Sequence, residues 1–371
     1  MADRSKKFLL DVRQSPGNDR CADCNRQNPD WAVWNLGIFV CESCGNIHRS
    51  LGTHISRVKS ISFDKWDEDQ LRIMEGQGNL KSKQYYEQQV PACYKLPTPK
   101  DPPVLREQWI RAKYQRLEFV DIDKQTYLQG HKEGYLWKRG KEDKKFQQRK
   151  FVLDEKTNTL KYYNKEDAKD PKATMLIDEL NVTLVPDKVS NPNAMQITFQ
   201  QDGRTRNLFV YGDDGQEIVN WFNAIRSAKL NRLRIAFPGA KDAELRSHLT
   251  RDFTKEGWLS KTGPKSGNAF RRRWFSLDKR KLMYYEDPLD AFPKGEIFIG
   301  TKDKGFAVRD GVTPGVKDTG YTFTLKTTER DYHFSAETEE DMHDWVHIIK
   351  SVISKPLSPQ DSSCMFRTSF K

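Results

Sequence analysis

The sequence predicts a multidomain α+β protein: an N-terminal four-cysteine metal module with helices, followed by two copies of a β-barrel or sandwich, each closed by a C-terminal helix. Three observations carry this. Four of the six cysteines, Cys21, Cys24, Cys41 and Cys44, fall in the spacing C-x2-C-x16-C-x2-C. A set of residues around positions 133–221 returns around positions 256–345 at offsets of 122 to 124 residues. Between these regions, apolar residues recur at helical spacing, as in Leu105, Trp109, Ile110, Tyr114 and Leu117.

The cysteines come first in the chain. Two C-x2-C knuckles separated by a foldable span supply the four thiolates of a tetrahedral Zn²⁺ site. A disulfide framework is the competing reading, but six cysteines in 371 residues are sparse and suit a reducing compartment. With every ligand position filled by sulfur, one structural zinc is expected, contributing roughly 10 kcal/mol or more of folding energy and no chemistry of its own.

The run from Cys44 to Ser60, Cys-Gly-Asn-Ile-His-Arg-Ser-Leu-Gly-Thr-His-Ile-Ser-Arg-Val-Lys-Ser, resembles the ArfGAP family, whose pattern is C-x2-C-x16-C-x2-C-x4-R. The resemblance covers roughly residues 8 to 120 and implies that Arg49 is an arginine finger reaching into the nucleotide site of a partner Arf-type small GTPase. A planar guanidinium can bond several phosphoryl oxygens and neutralise the charge that develops between them, which lysine does poorly. His48 and His54 are read as packing or hydrogen-bonding residues, since four thiolates already close the zinc. Trp31, Trp34 and Phe39 are expected to cover the metal site. Helices are expected over Asp64 to Gly78 and Val104 to Phe119, the second bracing the metal module against the first of the repeated domains.

The repeat then sets the rest. Glu133-Gly134-Tyr135-Leu136-Trp137-Lys138 returns as Glu256-Gly257-Trp258-Leu259-Ser260-Lys261, Tyr162-Tyr163 as Tyr284-Tyr285, and Trp221 as Trp345. A period this long means two copies of a whole domain. Each copy opens with short alternating strands and closes with one amphipathic helix, Gln216 to Leu230 and about Thr338 to Val352, the latter with Thr338 and Asp341 as an N-cap pair. The G-[YW]-L-x-K opening and the helix tryptophan resemble the pleckstrin homology (PH) domain, over about 130 to 233 and 253 to 355.

Alternate residues of a strand share a face, so the row Arg271, Arg273, Phe275, Leu277 passes from basic mouth to apolar core. In the second copy Lys261, Arg271, Arg273, Tyr285 and Lys294 are the candidate phosphoinositide-binding residues. Resemblance to PH domains selective for phosphatidylinositol 3,4,5-trisphosphate implies the roles of Tyr285 and Lys294. The first copy offers Lys138, Arg149, Tyr163 and Lys172, but Gln147 stands where the second has Arg271. That loss makes the first site the weaker or less selective, and Lys144 and Lys145 in the intervening loop are the residues that would compensate.

The domains expected are therefore 8–125 for the ArfGAP module, 130–233 and 253–355 for the PH domains, and 356–371 for a disordered tail. The order is similar to that of the ArfGAP with dual PH domains family, the centaurin-alpha proteins. The net charge of +11, from 63 Lys and Arg against 52 Asp and Glu, suits a polyanionic partner. Expected partners are an Arf-type GTPase in its GTP-Mg state, the trisphosphate lipid and its soluble inositol tetrakisphosphate headgroup. No run of eighteen apolar residues and no Walker-type loop occurs. The expectation is a cytoplasmic protein drawn to the inner face of the plasma membrane. Two rival readings are a phosphoinositide-dependent adaptor without turnover and a GATA-like DNA-binding finger. The mainly acidic and aromatic stretch Ser62 to Asp69 argues against the latter, so no nucleic acid is expected.

Overall fold

A computed structural model describes residues 2–165, 167–263, 269–313, 315–316 and 320–358. Most of the expected tail, Cys364 included, lies outside the described residues. No helix among the described residues is long and apolar enough to cross a membrane.

The metal module is a small sheet ringed by helices. Helix α1 (Ala2–Arg13) precedes strands β1 (Trp31–Val33), β2 (Ile38–Val40) and β3 (Val58–Ser60), with α2 (Glu42–Ser50) between the last two. The sheet order is β2-β1-β3, all antiparallel. Helices α3 (Glu68–Gly76), α4 (Gly78–Tyr86) and α5 (Pro103–Ile110) follow. Asp67 and Gln70 form a reciprocal capping box at the start of α3, satisfying donors that the first turn leaves open. Strand alternation sends Val33, Ile38 and Val40 towards the cysteines, whereas Ala32, Trp34 and Phe39 face a separate cluster with Leu9, Ile61 and Met74. Trp34 and Phe39 therefore do not cover the metal site as expected; they lie on the far face of the sheet.

The stretch expected to be one helix from Val104 to Phe119 is α5 followed by a π-helical segment, Arg111–Arg116, ending at left-handed Leu117 (φ 54°). The wider turn brings Lys113 and Tyr114 onto one target, the Asp23 carboxylate between the first two cysteines, at 3.1 and 3.2 Å. Burial pushes the Asp23 carboxyl up, but Lys113 and His48 outweigh it and hold the group at about 2. His48 is fully buried, its Nε2 donating to Asp23 Oδ2 at 3.0 Å and its Nδ1 2.8 Å from Ser56 Oγ. It is thus a hydrogen-bonding residue beside the metal centre.

Each later domain is a seven-stranded antiparallel sheet closed by a helix. The first comprises β4 (His131–Arg139), β5 (Phe146–Asp154), β6 (Thr159–Tyr163), β7 (Ala173–Leu176), β8 (Asn181–Leu184), β9 (Ala194–Gln201) and β10 (Arg204–Tyr211). The short helix α6 (Pro186–Val189) interrupts it, and α7 (Gly215–Ala236) closes it. After α8 (Asp242–Leu245), the second comprises β11 (Lys255–Lys261), β12 (Arg271–Asp278), β13 (Lys281–Tyr285), β14 (Gly295–Phe298), β15 (Ala307–Asp310), β16 (Thr322–Lys326), β17 (Asp331–Ser335) and α9 (Glu339–Ser354). Strand orders match position for position: β7-β6-β5-β4-β10-β9-β8 and β14-β13-β12-β11-β17-β16-β15.

The repeat motif has a packing cause. Trp221 and Trp345, both fully buried, lie against Gly134 and Gly257, where an added Cβ would sit 3.5 and 3.7 Å from the ring. Lys132 and Lys255 then cover those rings at 5.1 and 5.3 Å. Asp214 and Thr338 cap α7 and α9, accepting from the backbone of Glu217 and Asp341. Helix α7 runs six residues past the expected Leu230 end.

One apolar core is continuous from the cysteines through α5 into the first domain, whereas the second domain has its own. Helix α5 packs between α2 and α7, and Arg226 of α7 donates to the Cys93 carbonyl at 2.6 Å. The expected brace is present.

Candidate functional site

The four cysteines are free and buried, and their Sγ atoms all lie within 4.8 Å of one another. Four sulfurs on a sphere of about 2.3 Å radius fit within that span, so the donor set suits one tetrahedral metal ion and no disulfide. Cys41 and Cys44 open α2, which pins the helix to the cluster. Gly45 lets α2 lie directly on β1, its absent Cβ 3.6 Å from Trp31 and Val58.

Arg49 sits on the last turn of that helix, exposed. Its Nη1 donates to Asn46 Oδ1 at 2.5 Å, and its guanidinium lies 4.3 Å above the Trp31 ring. A stacked, bonded arginine loses little freedom when it meets an anion. Trp31, assigned to metal cover by sequence, is packed beside the metal cluster and also supports Arg49. The turn after β3 holds Phe63 outward, 89% exposed, with Ser60 Oγ accepting from the Phe63 backbone.

In the second domain a cavity of about 290 Å³ is lined by Lys261, Arg271, Arg273, Tyr284 and Lys294, with Gly263 and Ala269. Lys261 pairs across from Arg271, and Leu259 from Arg273, so the basic ends of adjacent strands share one mouth. Burial, then Arg330 and Arg273, push the Lys261 amine down to about 8. Glu286 bridges Lys294 (3.1 Å) and Arg273 (3.6 Å) at the rim.

Tyr285 is the exception among the expected pocket residues. It pairs with Trp274, off the row of Arg273 and Phe275, while Tyr284 pairs with Phe275 and faces the cavity. Tyr285 points instead towards the first PH domain, buried, its hydroxyl accepting from Asn207 Nδ2 at 3.1 Å. A one-residue shift changes the face of a strand.

The first domain repeats the arrangement and the correction. Lys138 lies 5.1 Å over Tyr162, as Lys261 lies 4.8 Å over Tyr284. Tyr163 pairs with Lys150 on the opposite face, so Tyr162 is the tyrosine beside Lys138 and Arg149. Lys172 follows the register of Lys294, each donating its backbone N–H to the pocket tyrosine's carbonyl at 2.8 Å. Gln147 stands opposite Lys138, its Nε2 donating to Asp143 Oδ2 at 2.9 Å and its Oε1 accepting from Arg149. An amide and a carboxylate thus occupy the space of a cation. Burial, Arg206 and Arg149 push the Lys138 amine down to about 8.

Arg206 and Arg330 belong to these clusters and were missed. They stand at the repeat offset, so extending the repeat to the last strand would have paired them.

A helix held against a four-cysteine cluster, followed by two basic barrel mouths, fits a GTPase-activating module joined to a pair of PH domains. The family model described as "Putative GTPase activating protein for Arf" matches residues 6–123, and that of the PH domain matches 130–230 and 253–354. The chain is 45% identical over 363 residues to "Arf-GAP with dual PH domain-containing protein 2" of Mus musculus, covering 96% of this chain and 95% of that protein. The Homo sapiens protein of that name is 44% identical over the same length, with 96% and 95% covered. "Stromal membrane-associated protein 1" of Mus musculus is 40% identical over 114 residues, 31% of this chain and 25% of that protein. The chain belongs to the family of Arf-GAPs with dual PH domains.

Proposed function

We propose that this chain accelerates GTP hydrolysis on Arf-type small GTPases by supplying Arg49 in trans, and that its PH domains carry it to membranes containing phosphatidylinositol 3,4,5-trisphosphate. The observation that carries the reading is the placement of Arg49: exposed, stacked on Trp31, and on the helix whose first turn holds two metal ligands. One structural zinc at Cys21, Cys24, Cys41 and Cys44 keeps that helix in place. The guanidinium enters the partner's site and neutralises charge as the γ-phosphoryl leaves; GTP and Mg²⁺ come with the partner. Such a residue supplied in trans is worth on the order of 10³ to 10⁵ in rate.

The second pocket reads the lipid through Lys261, Arg271, Arg273, Tyr284 and Lys294. The first, with Gln147 for an arginine, binds more weakly. Two sites on one chain raise binding to a surface through effective concentration. The soluble tetrakisphosphate headgroup competes for the same pockets. A chain that is cytoplasmic when lipid is low gathers at the inner plasma membrane when lipid is made, where lipid-anchored GTPases already lie.

The test is single-turnover GTP hydrolysis by lipid-anchored Arf-family GTPases on liposomes, with and without the trisphosphate lipid. Acceleration that grows with the lipid supports the reading. No acceleration by the zinc-loaded protein on any member would leave a phosphoinositide-dependent adaptor.

A further inference from the structure

The loop between β13 and β14 delivers Lys294 to the second pocket, but its middle belongs to the first domain. Asn207 of β10, buried, donates its backbone N–H to the Ala291 carbonyl at 2.8 Å. Arg139 donates to the Leu289 carbonyl at 2.9 Å. Within the loop, Asp290 Oδ2 accepts from the backbone N–H groups of Glu286 and Asp287 at 3.1 and 3.0 Å. A loop anchored this way at both ends and in its middle holds one shape.

That shape sets Phe292 on Arg206. The Arg206 guanidinium carbon is 5.7 Å from the Phe292 centroid and 5.7 Å from that of Phe199, so a ring from each domain grips the same cation. Arg206 Nη2 donates to the Tyr162 hydroxyl at 3.3 Å, and Tyr162 is the ring beneath Lys138. Arg206 Nη1 donates to Gln201. Its Nε is buried and has no hydrogen-bond acceptor among the described residues. In the second domain the counterpart Arg330 lies 4.2 Å over Tyr332, a ring of its own domain. The second pocket is self-contained; the first borrows a wall.

We propose that the first headgroup site is a two-domain site, in which Phe292 of the second PH domain holds Arg206 of the first as a phosphate-binding cation for a polyphosphorylated inositol. This rests on reading the PH mouths as headgroup sites and adds a residue pair to the first. Charge and order both favour this. Gln147 removes a cation from the mouth, and Asp143, bonded to Gln147, adds a negative charge there. Arg206 restores the missing charge from the other side of Lys138. A guanidinium already stacked loses fewer rotamers on binding than a free one, so the grip converts a surface arginine into a site residue.

The experiment uses the full-length, zinc-loaded chain carrying Arg273→Ala to silence the second pocket, titrated with soluble inositol 1,3,4,5-tetrakisphosphate. Adding Phe292→Ala is expected to weaken binding roughly tenfold, and Arg206→Ala as much. The two together should lose less than the sum of the separate losses, because they act as one unit, while the ring's contacts with Lys141 and Arg204 remain its own. Arg206→Lys, which keeps a cation on the ring, should recover part of the binding only while Phe292 is present, a dependence that a merely structural role for Phe292 would not produce. As a control for folding, Phe292→Ala with Arg149→Ala, which silences the first pocket, should leave the second pocket's affinity unchanged. Vesicles carrying the trisphosphate lipid should show the same ratio of losses. Unchanged or tighter headgroup binding in Phe292→Ala overturns the inference, as do additive losses or a loss confined to vesicles, which would make Phe292 a bilayer contact. A first pocket that takes no headgroup even with Phe292 intact overturns the inference together with the reading of that domain.

Discussion

Lys261 should make headgroup binding fall with rising pH. Its amine, 10.5 in an ordinary lysine, is pushed down to about 8 by burial first and by Arg330 and Arg273 next. Lys294 and the Tyr284 ring also face it across the mouth. A bound polyphosphate adds negative charge beside the amine and returns its pKa towards the ordinary value. The complex therefore holds a proton that the free protein gives up above pH 8. With the two values at about 8 and about 10.5, affinity is nearly flat below pH 7 and falls about tenfold between pH 7 and pH 9. The ligand's own second ionisations, near pH 6 for an isolated phosphate and higher for vicinal ones, change its charge equally for both chains, so the share of Lys261 is the difference between the wild-type and Lys261→Arg profiles. Calorimetry in buffers of different ionisation enthalpy would show proton uptake growing with pH. The Arg149→Ala chain isolates the second pocket, and Lys261→Arg, charged throughout, should flatten the profile. Parallel wild-type and Lys261→Arg profiles from pH 7 to 9 would overturn this role for Lys261.

Four further outcomes follow from the packing. Lys113→Met should destabilise the metal module by about 3 kcal/mol in urea titrations, because it takes the shared cation from the buried Asp23 and the half-buried Glu87. Tyr285→Phe should leave headgroup affinity unchanged and cost about 1 kcal/mol through the lost bond to Asn207. Tyr284→Ala should instead weaken headgroup binding roughly fivefold, as Lys261 loses its ring. Stripping zinc with a chelator should unfold the first module and lower the stability of the first PH domain, which shares its core. The second PH domain, with a core of its own, should keep its headgroup affinity. Differential scanning calorimetry with tetrakisphosphate titration separates the two.

What was legible in the sequence was local. The cysteine spacing fits the geometry of one tetrahedral ion, and the 122 to 124 residue repeat is one fold used twice, so both can be read without neighbours. The N-cap of α9 was equally local. The tyrosine doublets were not, because choosing Tyr284 over Tyr285 requires the register of β12 against β13, and either residue of the pair satisfies the composition of the strand. Trp34 and Phe39 were placed near the metal because they lie between its ligands in sequence, but strand alternation turns them to the other face. The contacts of Asp23 with Lys113, ninety residues apart, and of Asn207 with the β13–β14 loop are fixed only when whole elements pack. Site residues of that kind carry no spacing signal.

The architecture ties the parts together. A single core runs from the cysteines to α7, so Arg49 and the first basic mouth belong to one body, and the polar contacts around Asn207 and Phe292 add the second. Under the proposed function Arg49 has to keep a fixed relation to the two basic mouths, and this packing supplies it.

The central claim is that Arg49 does the chemistry, and the direct measurement is single-turnover GTP hydrolysis by an Arf-type GTPase with wild-type and Arg49→Lys chains at saturating concentration on lipid-bearing liposomes. Lysine keeps the charge but loses the planar fork, so the maximal rate should fall on the order of 10³-fold while affinity for the GTPase stays within about threefold. A lysine variant that turns over at close to the wild-type maximal rate would contradict the account.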